Sequence, residues 1–167
     1  MINKLDHLIV AVRNIEEAEL NYSKLFGASP VWRGEHKALG TTNSIFNFSN
    51  TYFELLAAKG DGLGAILVEH TLREKGEGLA GLVLGTNDIN KAKKNISSLG
   101  YILDSFSEGE GEDFENGEIR KWNNLFLPNE LTRGLFSFII QHTEGSIEKP
   151  ESYEKSTVNK IELSLIH

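Results

Sequence analysis

The sequence predicts an α+β fold made of two copies of a strand–helix–three-strand (βαβββ) unit. Three observations predict it. Lys4 to Arg13 reads as a buried strand, because aliphatic and β-branched residues run through it almost unbroken. Behind it Ile15, Ala18, Tyr22 and Leu25 recur at steps of three and four, the stripe of an amphipathic helix. The same stripe returns as Ile89, Ala92, Ile96 and Leu99, each 74 residues further on, and Ser23 to Gly27 resembles Ser97 to Gly100 at the helix ends. One amphipathic helix can recur by chance, but a repeat of strand–helix order, phase and closing glycine together points to duplication.

The elements follow in order. On the first strand Leu5, His7, Ile9 and Ala11 share one face, and Asp6, Leu8, Val10 and Val12 the other. Asn14, with Glu17 three residues on, makes a capping box, and Gly27 ends the helix. Strands are predicted over Pro30 to Leu39, Asn43 to Ser49 and Thr51 to Ala58, with turns at Gly40-Thr41-Thr42 and Asn50. Gly60 to Gly64 reads as a hinge and Ala65 to Glu74 as a short helix. The second unit has a strand at Leu79 to Gly85 and a helix capped by Asp88. Its three remaining strands are expected over Tyr101 to Ser107, Glu118 to Leu127 and Leu135 to His142. The acidic run Glu108 to Glu118 lacks the spacing of a calcium loop and reads as a mobile hairpin tip turning at Asn116-Gly117, a candidate flap.

These elements make one domain over residues 1–147, with units of about 1–59 and 76–147 joined by a connector helix within 60–75. Residues 148–167 are expected to be a linker around Pro150 and a terminal strand. There Asn159 to Leu163 echoes Asn3 to His7, as the start of a further repeat or an edge for a partner chain would.

Composition narrows the function. A net charge of -7 and no basic run argue against a nucleic-acid surface. Cys is absent, which removes disulfides, thiolate metal sites and cysteine nucleophiles. No stretch is long enough to span a bilayer, and no basic segment precedes an apolar one at the N-terminus, so a cytoplasmic location is expected. No phosphate-cradling glycine loop or Ser-His-Asp constellation occurs, so no nucleotide cofactor is expected.

The order of units, with Leu5 to Val12, Gly40 to Asn43, Thr51 to Ala57 and Phe138 to Gln141, resembles the vicinal oxygen chelate superfamily of glyoxalases, extradiol dioxygenases and bleomycin-resistance proteins. The likeness spans about residues 4 to 142 and is closest to glyoxalase-like domains. It implies two units paired around a shared cavity, with four inward positions that can hold one divalent metal. Carried over, these are His7, Glu54, Gly81 and Gln141, or His142 if the last strand's register moves by one. A metal there would be Zn, Mn, Ni or Fe, polarising substrate oxygens in lyase, isomerase or dioxygenase chemistry. Gly81 departs from the pattern, having no side chain, and leaves room instead of a ligand.

Each candidate has two readings. His7 is a metal ligand or a core histidine bonded to a buried partner. Glu54 is a ligand, a general base raised by desolvation, or one half of a pair with His7 or Arg120. His36 contacts substrate at the cavity mouth or is a solvated loop residue. Asn43 binds a substrate carbonyl or caps the Gly40 turn. Arg120 and Trp122 share a strand face with Asn124 and form an anion fork and an apolar wall if that face turns inward. Trp32 and Arg33 remain undecided. The expected partner is a small-molecule ligand, and a homodimer is open. The rival functions are a metal-free protein that sequesters a drug, and an assembly module.

Overall fold

The chain's computed structural model describes residues 1–147. The predicted linker and terminal strand lie outside the described residues.

The first unit runs β1 (Ile2–Ala11), α1 (Ile15–Phe26), β2 (Trp32–His36), β3 (Thr41–Asn47) and β4 (Tyr52–Ala58). A connector helix α2 (Leu63–Glu74) leads to β5 (Gly78–Thr86), α3 (Ile89–Ser97), β6 (Ser107–Asp113), β7 (Ile119–Phe126), the short α4 (Asn129–Thr132) and β8 (Ser137–Glu144). The duplication is thus present as two βαβββ units. Their strands close one barrel in the order β1-β4-β3-β2-β6-β7-β8-β5. Both seams join the units, β1 with β5 and β2 with β6, and both are antiparallel. Within each unit the outer strands run parallel, β1 with β4 and β5 with β8.

The helices form where their caps direct. Asn14 Oδ1 accepts the Glu17 amide at 2.8 Å, Asp88 Oδ1 accepts the Lys91 amide at 2.9 Å, and Gly27 closes α1 at a φ of 65°. Each helix covers the barrel's outer face. Phe26, with Ile15, Ala18 and Tyr22, packs on Val10, Phe46 and Leu55. Ile89, Ala92 and Ile96 pack on Leu125 and Ile139. The last member of each predicted stripe is the exception. Leu25 and Leu99 are exposed, because Phe26 takes the core position in α1 and α3 ends at Ser97. The connector α2 sets Val68 and Leu72 against Ala11.

Two expected strands differ. Pro30 to Leu39 is strand only over Trp32–His36, after which Lys37–Leu39 makes a 3-10 turn. Tyr101 to Ser107 is irregular up to Phe106, and β6 is the stretch read as a hairpin tip. The Glu-Gly-Glu-Gly-Glu run alternates, so its two glycines fall on the inner row, while Glu108 at the start of the strand borders the cavity. A side chain on Gly109 would run into the Trp122 indole, and one on Gly111 would lie 3.2 Å from both His36 and Trp122. Only residues 114–118 form the turn.

Gly109→Ala is therefore expected to cost about 1–3 kcal/mol through overpacking against Trp122. Gly60→Ala, where an added Cβ meets nothing within 4 Å, should stay within about 0.5 kcal/mol of the parent. Urea unfolding of both variants measures the contrast.

Candidate active site

Alternation turns one row of each strand into the barrel. His7 and Ile9 come from β1, Asn43 from β3, Tyr52 and Glu54 from β4, Arg120 and Trp122 from β7, and Phe138 and Ile140 from β8. They border a cavity of about 500 Å³, a volume suited to a small organic ligand. The imidazole and the carboxylate expected to meet do so: His7 Nε2 stands 3.4 Å from Glu54 Oε2, and both residues are buried.

A second acid, missed in the sequence, fixes that imidazole. His7 Nδ1 donates to Asp6 Oδ1 at 2.9 Å, and His142 Nε2 donates to the same oxygen at 3.0 Å. Lys4 Nζ reaches Asp6 Oδ2 at 2.7 Å. Strict alternation would put Asp6 on the outer row, but the β1–β5 register shifts between Leu5 and His7, and the bulge takes it out of that row. Burial opposes ionisation of Asp6. The hydrogen bonds from His142 and His7 more than offset that and hold its carboxyl far below the usual range. With Nδ1 donating to Asp6, two lone pairs would face each other between His7 Nε2 and Glu54, so a proton on either side favours the contact.

Glu54 Oε1 accepts from Asn43 Nδ2 at 2.7 Å, so Asn43 serves the carboxylate instead of the Gly40 turn. His36 lies inside the barrel and not in solvent: its Nδ1 pairs with Thr41 Oγ1 at 3.0 Å, and its Nε2 stands 3.4 Å from Asn43 Nδ2. Burial lowers the pKa of His36, Glu54 works the other way, and Arg120 and His7 lower it further. Tyr52 stacks on His7 with ring centroids 4.3 Å apart. Burial, aided by the charge of Asp6, lifts its phenol well above the ordinary range. The alternation that puts Glu54 inward puts Tyr52 there too, so its place was legible. Trp32 also faces in, its Nε1 donating to Asn43 Oδ1 at 3.3 Å, while Arg33 turns out to Glu19 at 2.7 Å.

Arg120 is 5% exposed and faces inward with Trp122 and Asn124. Its guanidinium lies over the rings of Trp32, Tyr52 and Trp122 at 5.2 to 5.8 Å. Arg120 also borders a second cavity of about 400 Å³, beside His142 and Gly145.

The last strand corrects one position. Gln141 faces outward and its Oε1 accepts the Ile89 amide at 2.9 Å, at the start of α3. His142 faces Asp6. Pairing gives the true counterpart of Glu54: Glu54 lies beside Ile9, whose repeat partner is Val83, and Val83 lies beside Phe138. Gly81 is not a vacancy either, since a Cβ there would sit 2.7 Å from Phe136 Cδ1. The ring fills the space.

A cavity shared by paired βαβββ units, with a buried histidine and carboxylate inside, defines the glyoxalase-like class. The sequence pattern of the glyoxalase-like domain family matches residues 5–165, and the chain belongs to that family. No curated protein matches the chain in sequence. Among solved structures it is similar to the Streptomyces coelicolor methylmalonyl-CoA epimerase in complex with 2-nitronate-propionyl-CoA, at 18% identity and a TM-score of 0.67, covering 84% of this chain and 97% of that one. It is also similar to the Mycobacterium tuberculosis methylmalonyl-CoA epimerase, at 17% identity and a TM-score of 0.64, covering 83% and 87%. A third is a hypothetical protein from Bacillus halodurans C-125, at 17% identity and a TM-score of 0.67, covering 86% and 96%. At these identities the likeness is one of fold.

Vicinal oxygen chelate proteins typically use a divalent metal. His7, oriented by a carboxylate on its far nitrogen, and Glu54 would suit one. The rest of the donor set does not fit. Gly81 and Phe138 offer no donor, and a guanidinium stands in the same cavity wall. Among the described residues no three His, Asp or Glu side chains gather in a group that could hold a metal ion.

Acid should weaken the fold in two stages. His36 has a lowered folded pKa, so the unfolded chain binds more protons and stability falls as pH drops below about 6.5. Asp6 has a depressed folded pKa, so its contribution is whole above about 4 and is lost progressively below that. Asp6→Asn should cost about 3 kcal/mol at neutral pH and shrink the second stage, to which Glu19 also contributes, while leaving the first. Urea midpoints measured from pH 8 to 3 check both.

Proposed function

We propose that the chain is a small-molecule isomerase that moves a proton at a carbon next to a carbonyl, with Glu54 as the base. The observation that carries this reading is the Glu54 carboxylate itself, 6% exposed in the cavity wall and positioned by Asn43 and His7. A base so placed needs no reorganisation when substrate arrives. Each of its oxygens keeps a lone pair beyond the bond already made. Glu54 takes the hydrogen, the C–H electron pair moves onto the carbonyl oxygen as an enolate, and return of a proton to the opposite face of that carbon completes the isomerisation. His7 Nε2, 3.4 Å away, can share the proton meanwhile. The fold relatives that act on methylmalonyl-CoA support the reaction class.

One observation favours a second reading, a protein that binds its ligand without turnover. Phe136 and Phe138 occupy the places where the second unit would supply polar groups, and they extend the apolar wall.

Hydrogen exchange in D₂O separates the two. With methylmalonyl-CoA and simple branched carboxylic acids as probes, the parent protein should exchange the hydrogen next to the carbonyl. Glu54→Gln should still bind and should slow exchange about 10²–10⁴-fold. Binding by the parent with no exchange on any probe would establish sequestration and end the isomerase reading.

A further inference from the structure

We infer that Arg120 is the anchor for a ligand carboxylate, and that the cavity takes an organic monoanion with an apolar body. The inference deepens the reading above in that it needs the same cavity to be the ligand site, but it does not need Glu54 to perform any chemistry.

A guanidinium removed from water is costly unless charge and hydrogen bonds compensate it. Arg120 is 5% exposed, its Nε has no hydrogen-bond partner, and no carboxylate of the described residues makes a salt bridge with it. Three aromatic rings are its surroundings. The rings hold the fork in place and do not neutralise it. A carboxylate would do so with two parallel bonds.

Charge limits the ligand's valence. The one guanidinium of this cavity shares its wall with Glu54 and Glu108, so each further negative charge on a ligand meets repulsion and a singly charged group is favoured over a dianionic phosphate. The rest of the ligand follows from β7, whose inner row runs Arg120, Trp122, Asn124, Phe126 over about 20 Å at roughly 3.3 Å per residue. At its far end Phe126, Phe136 and Phe138 cluster with centroids 5.3 to 6.1 Å apart, and Phe126 is half exposed at the mouth. Between the two ends Asn124 Oδ1 is buried without a partner. That oxygen calls for a hydroxyl or amide N–H part-way down the ligand.

The test is binding by calorimetry and thermal shift, with dodecanoate, dodecanamide and dodecylphosphonate as probes. Dodecanoate should bind at least about tenfold more tightly than the amide, as expected for loss of a charge-assisted pair, and more tightly than the phosphonate. Arg120→Met should abolish the preference for carboxylate over amide, and without ligand it should melt no lower than the parent, because an uncompensated charge has gone. A dodecanoate with a mid-chain hydroxyl should gain over dodecanoate in the parent and not in Asn124→Leu. Equal affinity of the parent for acid and amide overturns the proposal, as does an undiminished preference in Arg120→Met. Tighter binding of the phosphonate overturns the choice of a monoanion. Because the readout is affinity, a parent that binds the acid but exchanges no hydrogen fails the isomerase reading alone.

Discussion

A closed barrel has one interior, so each polar side chain turned inward must find its partner among the other inward side chains. That constraint governs the site. Asp6 accepts from His7, His7 faces Glu54, Glu54 accepts from Asn43, and Asn43 stands beside His36. Four strands of the first unit contribute to the chain of contacts, and no member is satisfied alone. Its rigidity comes from burial, since water cannot compete for these bonds. The duplication that closes the barrel is thus also what orders the catalytic candidates.

Much of this was legible in the sequence. Two-residue periodicity carries face information, so His7 and Glu54 could be assigned to one interior, and the caps at Asn14 and Asp88 needed only local chemistry. What escaped detection depended on register and on packing. Asp6 joins His7 through a bulge, and a bulge leaves no mark in residue type. The fourth inward position slid from Gln141 to Phe138 because it is fixed by pairing across β5 and β8, not by spacing along the chain. The acidic run became β6 because its glycines make room for Trp122 and His36, a fit visible only from the far wall.

The two units differ in what they turn inward. The first has polar groups on β1, β3 and β4. At the matching positions the second has Gly81 and Phe138, and the Phe136 ring fills the space beside the glycine. A single substitution could not place a donor at residue 81, because the new side chain would meet the Phe136 ring. The difference is therefore built into the packing, and the polar chemistry of the cavity rests on the first unit and on what β7 brings.

What β7 brings is a positive charge, held apart from the carboxylate of Glu54 in the same cavity wall. Two opposite charges in one buried cavity gain most by pairing directly, and paired they would leave a ligand nothing to bind. Glu54 is engaged instead by Asn43 and His7, and Arg120 by aromatic faces. Tyr52 lies between the two: its ring stacks on His7 at 4.3 Å, and the Arg120 guanidinium lies 5.8 Å from the same ring. A ligand carboxylate of the kind proposed would supply the compensation that the protein withholds from Arg120, and would bring the ligand's body toward the carboxylate of Glu54.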